Sequence, residues 1–186
     1  MFVVEYSDLP LEQQREEAAL RARLEPIVEM MQIKGESECR NGMYGVVGGP
    51  DELCNFEKTR DMGRQEFEDC EEGAGWGAQK GEGCFSRTDF VRYALLEGLR
   101  EQERIGVNPY PFGFIGSTDT HMATPGGVSE YDVPYKFGAT SDRLLEVGDQ
   151  ERGPSFWNPG VLAGVWAEEN SRDAIFDALK RRETFS

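Results

Sequence analysis

An α/β fold with parallel strands is the class this sequence predicts, and three observations predict it. Helix-patterned and strand-patterned segments alternate along the chain. Three apolar runs, at 27–33, 112–117 and 161–167, have the length of buried strands. Each run breaks off into polar residues on its C-terminal side, which is where active sites of α/β barrels and open α/β sheets lie.

Residues 1–6 read as a strand or the tail of one. Ser7 or Asp8 is placed to cap the following helix, with Pro10 in its first turn. Leu11, Ala18, Ala19, Ala22 and Leu24 give that helix an apolar stripe, and Pro26 ends it. The run 27–33 then turns abruptly polar through Lys34, Gly35, Glu36, Ser37 and Glu38. Residues 40–85 form a long irregular insertion with Gly-Gly-Pro at 48–50, an acid-rich run from Glu66 to Glu72 that suits a solvated face, and a glycine-dense run from Gly73 to Gly83. Ser86-Arg87-Thr88-Asp89 has capping-box spacing and opens a helix to about Ile105, with Phe90, Val91, Ala94, Leu95 and Leu99 inward and Gly106 closing it. The strand 112–117 follows, and a second long insertion covers 122–160, with a short helix expected over Ser141–Val147. The third strand ends in Glu168 and Glu169. Asn170 or Ser171 then caps a last helix that buries Ala174, Ile175, Ala178 and Leu179 and runs out in Lys180-Arg181-Arg182.

The 186 residues are enough for a single domain, 1–186, with a real core, and 22 glycines with 9 prolines point to many turns and loops. No apolar run is long enough to cross a membrane, and the N-terminus lacks the features of a signal peptide. Thirty-five acids against 20 bases give a net charge of -15, which argues against nucleic acid and anionic membranes as partners. The four cysteines, Cys39, Cys54, Cys70 and Cys84, lack the close pairing of a structural zinc site. Their spacing is compatible with two disulfides in an oxidising compartment and with free thiols in a reducing one.

The chemistry concentrates at the polar tip after Gly116. Asp119 and His121 stand at i and i+2, so on extended chain their side chains share one side, as two ligands of one metal must. His121 is the single histidine of the protein. With Glu38 they make a set of two carboxylates and one imidazole, suited to zinc, manganese or iron. Such a divalent metal makes hydroxide available near neutral pH. Ser117 and Thr118 are placed to orient substrate, or else to close strand-end hydrogen bonds. Lys34 can meet an anionic substrate or simply face solvent. Glu168 reads as an outer acid of the site or as a helix-start acid. There is no P-loop, no dinucleotide-binding glycine motif after a strand and no Gly-x-Ser-x-Gly elbow.

Four stretches, Gln32 to Cys39, Gly106 to Pro109, Gly116 to His121 and Gly164 to Arg172, occur in an order that resembles the domain of unknown function 3604 family, a branch related to the PHP (polymerase and histidinol phosphatase) metal-dependent phosphoesterases. The resemblance spans nearly the whole chain. It implies a partial, distorted TIM-type barrel with parallel strands, a metal cluster at the strand C-termini and a small phosphoester substrate. It carries metal-ligand roles onto Asp119 and His121 and, less directly, onto Glu38. The family also uses a His-x-His strand and further histidines before this region, and this chain has none of them. The expectation is therefore the C-terminal portion of such an enzyme, with an incomplete metal site, low activity alone and an open barrel edge at which two copies can pair. Two other readings stand beside it: a non-catalytic binding or structural module that pairs with another chain, and a disulfide-stapled extracellular domain.

Overall fold

The computed structural model describes residues 2–32, 35–42, 51, 54, 68–71, 83–118 and 161–186. The expected helix over Ser141–Val147, most of the acid-rich and glycine-dense runs, and Lys34, Asp119 and His121 lie outside the described residues.

The N-terminal segment is extended but forms no strand; Phe2 N–H reaches the Thr88 carbonyl at 2.9 Å. Its alternating Phe2, Val4 and Tyr6 turn inward, as the period of an extended chain requires. Helix α1 (Leu11–Leu24) starts at Pro10 itself, which provides no side-chain cap. The turn before it is held instead by Gln14, whose amide donates to the Ser7 and Leu9 carbonyls at 3.1 and 2.7 Å. Only Gln14 and Ala18 of α1 are buried, and Leu11 and Leu24 are exposed, contrary to the expected stripe. The reason is that α1 meets the body along one narrow line. That line is anchored by Arg15 Nε to the Ile105 carbonyl (2.8 Å) and by Arg21 to the Tyr110 hydroxyl (3.1 Å).

Strand β1 (Ile27–Gln32) pairs antiparallel with the short β2 (Gly35–Glu36) and parallel with β3 (Gly113–Gly116), in the order β2-β1-β3. A parallel pair needs a crossover, and helix α2 (Val91–Ile105) lies on that connection. The capping box forms as expected, with Ser86 and Asp89 in reciprocal side-chain to backbone bonds, but on a short 3-10 turn (Arg87–Asp89). Phe90 is extended, with φ -112° and ψ 135°, so one continuous helix from Ser86 is not formed and α2 starts afresh at Val91. Two of the N–H groups that a helix start leaves unpaired are satisfied by the chain after β2. Val91 donates to the Ser37 carbonyl at 3.0 Å and Arg92 to that of Glu38 at 2.9 Å. At its far end Gly106 takes φ +84°, a left-handed closure that glycine adopts without strain.

The core lies between α2 and the β1/β3 pair. Phe2, Val91, Ala94, Tyr110 and Phe112 form its buried centre, flanked by Val28, Met30, Leu95 and Phe114. Leu99, expected inward, is 61% exposed, while Glu101 is 3% exposed; α2 is turned so that this acid faces α1. Strand β4 (Gly164–Val165) pairs antiparallel with β5 (Thr184–Phe185), around helix α3 (Arg172–Arg181). Ser171 caps α3, accepting from Ala174 N–H at 3.3 Å, and Ala178 is buried on the expected face. The third apolar run is thus a two-residue strand with an antiparallel partner. No helix among the described residues is long and apolar enough to cross a membrane.

All four cysteines are paired, Cys39 with Cys54 and Cys70 with Cys84. The choice between disulfides and thiols falls to disulfides, each joining neighbours in sequence.

Candidate functional site

The C-terminal ends of β1 and β3 lie side by side because the two strands run parallel. Ser117 N–H donates to the Met31 carbonyl at 2.9 Å, one step past the last paired residue of β3. The register carries an irregularity here. Glu29 faces Ile115 and Met31 faces Gly116, so β1 spends two residues against one of β3. Such a bulge shifts side-chain alternation by one residue beyond it. Gln32, which regular alternation would place opposite Glu29, accordingly donates from its Nε2 to Glu29 Oε2 at 2.8 Å. The other carboxylate oxygen, Oε1, accepts from Ser117 Oγ at 2.5 Å. Ser117 therefore makes strand-end hydrogen bonds through both backbone and side chain. Thr118 beside it is buried, at 7% exposure.

Val161 also meets this point, its N–H donating to the Ser117 carbonyl at 3.3 Å. The approach is close enough to require glycine at Gly116: a Cβ there would stand 2.1 Å from Val161 Cγ2.

Glu38 sits on the other side of β1. Residues 35–37 run back along β1, with Met31 opposite Glu36 and Ser37 N–H donating to the Met30 carbonyl at 2.9 Å. Glu38 N–H is in turn held by the Glu36 carboxylate. The Glu38 carboxylate meets Arg92 in the first turn of α2, at 2.5 Å from Nη2, while Nη1 of the same guanidinium binds Asp51 at 2.8 Å and lies 3.5 Å from Cys54 Sγ. The hydrogen bonds to Glu38 first and Asp51 second hold the Arg92 pKa above its ordinary value. Glu38, Cys39, Asp51, Cys54 and Arg92 thus form one knot, closed covalently by the Cys39–Cys54 bond. Glu168 and Glu169 are exposed beyond β4.

Of the residues picked out in the sequence, the structure places Glu38, Ser117 and Thr118; Lys34, Asp119 and His121 lie outside the described residues. Among the described residues, no group of three His, Cys, Asp or Glu side chains could hold a metal ion. Glu29 and Arg92, which the structure adds, belong to no motif of the sequence. Glu29 had a signal, an acid in the middle of an apolar run of strand length. Arg92 had none, since an arginine near a helix start looks like any surface base.

The described residues form three helices and two small sheets, with a polar site where parallel β1 and β3 end. The chain belongs to the family described as "Protein of unknown function (DUF3604)", whose model matches residues 1–186. No curated protein and no solved structure matches it.

Proposed function

We propose that this chain is part of a metal-dependent hydrolase related to the PHP phosphoesterases, built on a partial barrel and acting on a small phosphoester or a similar ester. The observation that carries the reading is the side-by-side ending of parallel β1 and β3 at Met31 and Ser117, immediately before Asp119 and His121 in sequence. Asp119, His121 and Glu38 offer two carboxylates and an imidazole, a donor set that fits zinc, manganese or iron. One Glu38 oxygen is held by Arg92, so the carboxylate would offer the other to a cation. When bound, the metal supplies a water of lowered pKa and a positive charge beside the phosphoryl or carbonyl oxygens. Lys34, Ser117 and Thr118 are the residues assigned to meeting the anionic substrate, Ser117 through its lone pairs. With a net charge of -15, nucleic acid and anionic membranes are poor partners.

The test is metal content of the purified protein with hydrolysis of a generic phosphoester such as p-nitrophenyl phosphate, each repeated for Asp119→Ala. Metal and activity that both fall in the variant support the reading. A protein that binds no metal and hydrolyses at the same rate with and without Asp119 overturns it.

A second reading, a module that pairs with another chain, is favoured by one observation. Trp166 and Phe185 stack with ring centroids 5.1 Å apart while remaining 68% and 49% exposed, and Leu162 and Phe176 are also exposed. Size-exclusion chromatography distinguishes the two: a stable metal-free oligomer belongs to the second.

A further inference from the structure

We infer that Glu29 is a positioning residue of the strand-tip site, acting through Ser117. A carboxylate can only accept, so in the 2.5 Å contact the Ser117 hydroxyl must donate its proton to Glu29. A serine hydroxyl has one proton. Ser117 Oγ therefore has only lone pairs left for anything that enters the site, and cannot donate to a phosphoryl oxygen. Its remaining partners are a cation or a donor group. Glu29 is held at both oxygens, Oε1 accepting from Ser117 and Oε2 from Gln32.

The backbone shows the same arrangement independently. The bulge between Glu29 and Met31 is what brings Gln32 to the face of Glu29, and it falls in the last turns of pairing before both strands end. Glu29 thus spans the joint between β1 and β3 where the Ser117 amide is bound to the Met31 carbonyl. Removing it frees the Ser117 hydroxyl to rotate and leaves Gln32 without its acceptor.

The inference rests on the proposed function in one respect, that a cation binds at this tip. The experiment is titration of the chain with Mn²⁺, together with thermal melting, for the unmodified protein and for Glu29→Ala, Glu29→Gln, Ser117→Ala and the Glu29→Ala/Ser117→Ala pair. Outer residues of metal sites typically change affinity by 10–100-fold, so Glu29→Ala and Ser117→Ala should each weaken Mn²⁺ binding by about tenfold or more. The double variant should lose no more than either alone. Glu29→Gln, whose amide oxygen still accepts from Ser117, should stay within about threefold of the unmodified chain. Unchanged Mn²⁺ affinity in Glu29→Ala, or losses that add in the double variant, overturn the inference. If the unmodified chain takes up no Mn²⁺, it is the proposed function that fails, and melting then decides on the pair. A drop in melting temperature for the double variant no larger than that of Glu29→Ala alone upholds Glu29 acting through Ser117, and additive drops overturn it.

Discussion

Arg104 grips the buried carboxylate of Glu101 with two parallel bonds, Nε to Oε1 and Nη2 to Oε2, each 2.7 Å long. The remaining arm of the guanidinium reaches Gln14 of α1 at 2.6 Å, so one base ties α1 to α2. The hydrogen bonds from Arg104, ahead of a smaller contribution from Tyr6, hold Glu101 below the usual carboxylate range. Burial, and then the Glu101 charge, push the Tyr6 phenol above its ordinary value.

A pH dependence follows from the sign of the Glu101 shift. A group whose folded pKa is depressed adds stability above its unfolded pKa, about 4.3 for Glu, and loses it as pH falls through the lower folded value. The difference in melting temperature between the unmodified protein and Glu101→Gln should therefore be constant above about pH 6 and shrink below about pH 4. At neutral pH the variant should be less stable by roughly 1.5–3 kcal/mol, the range for hydrogen bonds to a charged group. A gap that does not narrow in acid would show that Glu101 is held by shape and not by charge.

Gly116→Ala should destabilise the protein although Gly116 has no left-handed backbone to protect, because the added methyl would fall 2.1 Å from Val161 Cγ2. Overpacking of this kind costs about 1–3 kcal/mol. Chemical denaturation measures it, and Val161→Ala in the same chain should recover most of the loss. No rescue would mean that the two residues do not share the space.

Arg92→Ala should have two opposite effects. Stability should fall by about 1 kcal/mol or less for each ion pair lost, since Arg92, Glu38 and Asp51 are all partly exposed. Affinity for a divalent cation should rise, by about tenfold at most, because the guanidinium no longer competes for the Glu38 carboxylate. Calorimetric titration with Mn²⁺ checks the second effect, and a fall in affinity would remove Glu38 from the ligand set.

Denatured without reductant, the protein should show no free thiol, and after reduction four. Replacing Cys39 and Cys54 by Ala opens a bridge of sequence separation 15, which the loop-closure relation values at about 3 kcal/mol. Replacing Cys70 and Cys84, of separation 14, should cost nearly the same in stability but leave the Glu38–Arg92–Asp51 knot in place. Guanidinium melts of the two variants test the first claim and their Mn²⁺ affinities the second.

Several features were legible in the residues alone because they are local. The caps at Ser86 and Ser171, the glycine stop at Gly106 and the apolar runs of β1 and β3 depend on groups within a few residues of one another. Where the reading went astray, a distant contact overrode the local signal. The helix from Ser86 is interrupted at Phe90, and the first N–H groups of α2 donate to the Ser37 and Glu38 carbonyls. Leu11 and Leu24 stay exposed because Arg15 and Arg21 fix which line of α1 meets the body. At the site, Asp119, His121 and Glu38 were marked by residue type, whereas the hold of Arg92 on Glu38 spans 54 positions of sequence and left no pattern.

By itself the sequence determined the family, the approximate positions of α1, α2 and α3 and of β1 and β3, and the polar ends of the apolar runs, since residue type and short-range periodicity encode these directly. Only the tertiary structure decided the pairing of the cysteines, the fold-back of Gly35–Glu38 along β1, the bulge that turns Gln32 toward Glu29, and the binding of Ser117 by Glu29 across 88 positions. The physical reason is that a hydrogen bond or a disulfide needs two groups at a fixed distance. For residues far apart in the chain, that distance is set by the packing of the elements between them and not by either residue's own neighbours.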